Sequence, residues 1–153
     1  MILNAPVYDV AQETPLESAP RLSDKLNNNV LIKREDLQPV FSFKIRGAYN
    51  KLVNLNTEER RRGVIAASAG NHAQGVALAA SKLDIKASIV MPETTPEIKV
   101  DGVRKFGANV ILYGDDFSAA LIKANEIAVK KSLPTPLKSI VLPPFTSIFV
   151  SNS

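Results

Sequence analysis

The stretch Val64-Ile65-Ala66-Ala67-Ser68-Ala69-Gly70-Asn71-His72-Ala73-Gln74-Gly75 opens with an apolar run, turns at a glycine and enters an alanine-rich segment. A short continuous apolar run bounded by a turn signal reads as a buried strand. The alanine-rich segment, from Ala73 to Leu83, reads as a helix. The same alternation repeats downstream. Ala87–Met91 reads as a strand, and Pro92 and Pro96 bracket a loop before a helix from about Glu97 to Phe106. Asn109–Leu112 reads as a third strand, and Asp115 or Asp116 caps a helix that reaches about Lys131. Strand and helix alternating at this spacing predict an α/β fold, an open parallel sheet with right-handed crossovers and flanking helices. Ligands of such sheets bind beyond the carboxyl ends of the strands, and the Ser68–His72 turn follows one of those ends.

That turn has two readings on its own residues. Free backbone N–H groups at a helix start, with the helix dipole, favour an anion such as a carboxylate. Gly70 lets the backbone approach a ligand closely. The alternative is an ordinary strand–helix turn with Asn71 as its cap. A hydrolase built on Ser68 and His72 is disfavoured, because no Gly-x-Ser-x-Gly elbow surrounds the serine and no acidic residue lies nearby to orient the histidine. Asp115 and Asp116 are adjacent, so their side chains diverge; capping suits them better than paired acid–base work.

Upstream, Ala19–Leu26 reads as a short helix ending in Asn27-Asn28-Asn29, and Val30–Arg34 as a strand. Glu35–Pro39 reads as a loop. Ser42 is the expected N-cap of a helix from about Lys44 to Leu55, whose Ile45, Ala48, Tyr49, Leu52 and Leu55 share one face. Lys44 then lies in the first turn, against the positive end of the helix dipole. Flanked by Phe43 and Ile45 and close to Arg46, its amine is expected to be partly desolvated and next to another cation. Both effects favour the neutral form that attacks carbonyls. A solvated lysine at a helix start is the alternative.

Composition narrows the function classes. The chain has 153 residues and a net charge of +4, enough length for one apolar core. It has no cysteine, which removes disulfides and zinc–thiolate sites, and one histidine, which removes a His-Glu-x-x-His centre. Arg60-Arg61-Arg62 completes a helix that Thr57 is expected to cap, with Glu58 and Glu59 in its first turn and Gly63 as its stop. The arginines therefore read as dipole complement, and no nucleic-acid partner is expected. No run of about twenty apolar residues is present, so no membrane span is expected. With no secretory or transit leader visible, a cytoplasmic location is the default.

Three segments taken together resemble the threonine dehydratase (threonine ammonia-lyase) family of pyridoxal-phosphate enzymes, of the tryptophan-synthase-β type. They are Lys33–Pro39, Ser42-Phe43-Lys44-Ile45-Arg46-Gly47-Ala48 and Ser68–Ala77. Met91-Pro92 and Ile98-Lys99-Val100-Asp101 are similar to the family's next loop and helix. The resemblance covers about residues 5 to 131 and points to the biosynthetic, isoleucine-pathway branch. It implies that Lys44 holds pyridoxal 5'-phosphate as a Schiff base and later moves the substrate α-proton. It places Phe43 against the pyridine ring and Asn71 on the cofactor's 3-hydroxyl. Ser68, Ala69, Gly70, Asn71 and His72 would hold the substrate carboxylate. The implied reaction turns L-threonine into 2-oxobutanoate and ammonia, and L-serine into pyruvate and ammonia. Serine racemases resemble this turn but carry serine at the position of Ala69, as a base on the opposite cofactor face; alanine cannot move a proton, so elimination is favoured over racemisation.

The chain also departs from the family. Its seven glycines include no adjacent pair, so no glycine-rich phosphate cradle is written in it. The expected organisation is an incomplete fold: residues 1–51 from a larger domain, 52–131 as a smaller α/β domain, and 132–153 as a divergent, disordered tail. The whole is expected to be the N-terminal portion of a dehydratase that is a homo-oligomer in its full-length relatives. The competing expectations are an inactive fragment serving as a small α/β interaction module, and a serine racemase or dehydratase-type relative.

Overall fold

The computed structural model describes residues 5–132 and 148–151, and the chain forms two sheets. The first is antiparallel. Strand β1 (Leu16–Ser18) pairs with β2 (Asn29–Lys33), from Leu16 opposite Lys33 to Ser18 opposite Leu31. Helix α1 (Pro20–Leu26) joins them and ends at Asn27, which takes the left-handed conformation at φ 46°. Strand β6 (Ile148–Ser151) pairs with the other edge of β2. The disordered tail expected over 132–153 otherwise lies mostly outside the described residues. Within it, the Ile148–Ser151 run is a strand, because β2 offers an open edge whose backbone groups need partners.

The second sheet is parallel, in the order β3 (Val64–Ala67), β4 (Ala87–Met91), β5 (Asn109–Leu112). Helices α4 (Asn71–Lys82) and α5 (Glu97–Arg104) make the crossovers, and α6 (Phe117–Lys131) follows the last strand. Alternate residues of β3 and β4 enter different cores. Val64, Ala66, Ile89 and Met91 pack with α4, α5 and α2 (Lys44–Val53), whereas Ile65 and Val90 pack under Ala120, Ala124 and Ala128 of α6. Both faces are covered, so these strands read as continuous apolar runs rather than as alternations. The alanine stripe of α6, spaced every four residues, lets that helix lie close on the sheet. Gly63, just before β3, sits at φ 87°, where a Cβ would meet the Lys86 carbonyl oxygen at 2.6 Å. No side chain fits there.

Caps and helix ends correct the expectations. Asn56, not Thr57, caps α3 (Thr57–Arg62): its side chain accepts from Glu59 N, and Asn56 N donates to the Glu59 carboxylate, each at 2.9 Å. This reciprocal pair satisfies more free amides than a threonine one position later would. Arg60 donates to the carbonyls of Val53 and Leu55, and Arg61 and Arg62 pair with Glu58. The arginine run is thus spent within the fold. Helix α2 stops at Val53 rather than Leu55, and its N-cap position is Phe43 rather than Ser42.

Candidate active site

Lys44 is the first residue of α2, and the loop that delivers it is held by buried polar groups. Gln38 is 1% exposed, donates to Gln12 O at 2.8 Å and accepts from Gln12 N at 2.9 Å. Glu35 accepts from Arg46 at 2.8 and 2.9 Å and from Thr14 at 2.6 Å. Arg46 also donates to Gln12 O at 3.1 Å. A closed set of this kind fixes geometry, because each member is costly to leave unpaired. Burial raises the Glu35 carboxyl, but the hydrogen bonds from Arg46 and Thr14 outweigh it and hold the group below the usual range. Ser42 is buried, and its Oγ accepts from Lys44 N at 3.3 Å. The Lys44 ammonium lies 5.0 Å from the centroid of the Phe43 ring.

Arg46, expected as another cation close to Lys44, has its guanidinium paired with the Glu35 carboxylate through two hydrogen bonds. Sequence reading missed Glu35, Gln38 and Thr14 as supports. Opposite charges at 35 and 46 were visible, but nothing local signals a bond between Gln12 and Gln38, 26 residues apart.

The second half is the turn from β3 into α4. Ser68 N donates to Val90 O at 3.1 Å, which ties the turn to the end of the central strand. Gly70 is the N-cap and Asn71 the first helical residue, so Asn71 is not the cap that the ordinary-turn reading needs. Gly70 N donates to Ser68 Oγ at 3.3 Å, and Gly70 O accepts from Ala73 N at 2.9 Å. The amides of Ala69, Asn71 and His72 have no acceptor among the described residues. A Cβ built on Gly70 would meet nothing within 4 Å, so the space beside this residue is open, and the turn stands at the positive end of α4. Asn71 is exposed and His72 half-buried. Burial, and then the nearby Lys44 charge, push the His72 imidazole below its ordinary value.

The two halves meet because α2 packs on α4. A Cβ at Gly75 would lie 3.2 Å from the carbonyl carbon and oxygen of Lys44. The start of α2 therefore lies against the N-terminal half of α4, the helix that the Ser68–His72 turn opens, and the Lys44 charge is near enough to act on His72.

The fold and the two helix starts together define the class of α/β proteins with an open parallel sheet and a strand–turn–helix donor set at its carboxyl end. The chain belongs to the pyridoxal-phosphate dependent enzyme family, whose model matches residues 7–150. It is similar to threonine dehydratase 2, biosynthetic, chloroplastic, of Solanum lycopersicum, with 57% identity over 94% of this chain and 23% of the relative. It is similar to the biosynthetic L-threonine dehydratase of Pasteurella multocida, with 54% identity over 94% of this chain and 27% of the relative. Its fold superposes on the processed form of threonine deaminase isoform 2 from Solanum lycopersicum with a TM-score of 0.84, at 57% identity, covering 90% of this chain and 39% of that one. The chain thus spans about a quarter of the length of the curated relatives it matches. The family match also continues to residue 150, past Lys131, where the resemblance was expected to stop.

The residues present fit the carbonyl and ring end of pyridoxal phosphate. Lys44 makes no ion pair among the described residues, Phe43 offers an aromatic face beside it, and the space over Gly70 is open. The described residues contain no run of glycine amides to cradle the phosphate.

Proposed function

We propose that this chain carries the lysine half-site of a biosynthetic threonine dehydratase acting on L-threonine, and on L-serine, with isoleucine synthesis as the pathway. The observation that carries the reading is the packing of the Lys44 backbone against Gly75 of α4, the helix opened by the turn whose Ala69, Asn71 and His72 amides have no acceptor among the described residues. In the proposed assignment the Lys44 amine anchors pyridoxal phosphate and afterwards takes the substrate α-proton. Phe43 supports the ring and Asn71 binds its 3-hydroxyl. Ser68, Ala69, Gly70, Asn71 and His72 hold the carboxylate at the positive end of α4. When bound, pyridoxal phosphate supplies the electron sink for breaking the Cα–H bond. The substrate loses its α-proton and β-hydroxyl as water, and hydrolysis then releases 2-oxobutanoate and ammonia. Ala69 has no group that can carry a proton, which supports elimination over racemisation.

The two sheets support a division into part of a larger domain, 1–51, and a smaller domain, 52–131, with α2 crossing between them. The proposed assembly is a homo-oligomer. The proposed compartment is the cytoplasm; the tomato relative is by its name chloroplastic, and fractionation of cells bearing a tagged chain separates the two.

The test is a nuclear magnetic resonance titration of the chain with pyridoxal phosphate. Amide shifts concentrated at Phe43, Lys44 and the 68–72 turn are expected. Shifts spread over the exposed lysines would overturn the assignment.

A further inference from the structure

Helix α4 contains one glycine, Gly75, and it is buried in the middle of the helix. Helix interiors disfavour glycine, so its presence asks for a packing reason. The neighbours of its missing Cβ give one. They are the carbonyl carbon and oxygen of Lys44, each at 3.2 Å, and Ile45 N at 3.3 Å. All are backbone atoms, which cannot swing aside as a flexible side chain can. The Lys44 segment is also tied by Arg46 to Glu35 and Gln12. The first turn of α2 is therefore held both by a polar anchor and by contact with the bare backbone of α4. Gly47, also within a helix, differs: a Cβ there meets nothing within 4 Å.

We propose that Gly75 is a positioning residue for Lys44, whose lack of a side chain sets the distance between the reactive amine and the Ser68–His72 turn. This rests on the reading of Lys44 as the cofactor amine. Any Cβ at position 75 forces the Lys44 peptide outward by tenths of an ångström. The amine moves with it, while the turn stays with α4.

The experiment is reductive trapping of pyridoxal phosphate on the purified chain and on Gly75→Ala and Gly47→Ala, read by peptide mass spectrometry. The quantity is the label on Lys44 divided by the label on the other lysines of the same sample, which a loss of stability shared by all sites does not move. Gly75→Ala is expected to lower that ratio roughly tenfold, since small misplacements near a reacting atom are costly. Gly47→Ala should leave it unchanged. An unchanged ratio in folded Gly75→Ala, with Lys44 selectively labelled in the unsubstituted chain, would overturn the positioning role and leave the function reading intact. Unselective labelling of the unsubstituted chain would overturn the function reading and the positioning role with it. Where Gly75→Ala does not fold, a nuclear Overhauser contact between the Gly75 α-protons and the Ile45 amide, sought in the unsubstituted chain, decides. Its presence supports the close approach, and its absence overturns it.

Discussion

Arg46 donates both Nε and a terminal nitrogen to the carboxylate of Glu35, at 2.8 and 2.9 Å, from a position two residues beyond Lys44. The pair is mostly buried, with side-chain exposures of 23% and 14%. It anchors the start of α2 to the N-terminal segment through Thr14 and Gln12.

Glu35→Gln is expected to destabilise the chain by about 1.5–3 kcal/mol, since it removes a charged acceptor and leaves Arg46 buried. The sign with pH follows from the lowered carboxyl. Glu35 contributes stability above the ordinary glutamate value of 4.5, and that contribution is lost as pH falls through its lower folded value. Thermal midpoints measured below pH 4.5 should therefore fall for the parent chain and fall less steeply for Glu35→Gln. Parallel curves would show that the pair is not coupled to folding.

The imidazole of His72 is held below its ordinary value of 6.5, first by burial and then by Lys44. Between that folded value and 6.5 the unfolded chain binds the proton and the folded chain does not. Stability from this group is thus present above 6.5 and lost as pH falls toward the folded value. A resonance titration of the His72 ring should give a midpoint below 6.5. In Lys44→Ala the midpoint should rise only part of the way back, because the burial contribution stays. No change in that variant would place Lys44 too far from the turn to act on it.

The N-terminal part exposes several large apolar side chains: Tyr8 is 64% exposed, Leu16 51%, Leu37 47% and Phe41 69%. Phe41 also sits at φ 54°, a conformation rarely taken by a bulky residue. Surfaces of this kind seek cover. Sedimentation should show concentration-dependent self-association that Phe41→Ser weakens. A monomer at all concentrations would contradict this.

The parallel sheet was legible because its strands are apolar runs closed by turns. Val64–Ala67, Ala87–Met91 and Asn109–Leu112 fall where the residues place them. Strand β1 was not legible: Leu16, Glu17 and Ser18 are all exposed, and a three-residue strand without burial leaves no pattern. The cap of α3 went one residue astray because Thr57 and Asn56 both suit the position, and only the reciprocal bond with Glu59 decides between them. At the site, Lys44 and the 68–72 turn were joined by the resemblance rather than by periodicity. The Glu35 network and the Gly75 contact depend on which helices face each other, and that information is tertiary.

The most direct test of the account is to mix the chain with pyridoxal phosphate, reduce with borohydride and map the label, using Lys44→Ala as the control. The account predicts label concentrated on Lys44 and lost in the variant. Label scattered over many lysines, or unchanged in Lys44→Ala, would contradict it.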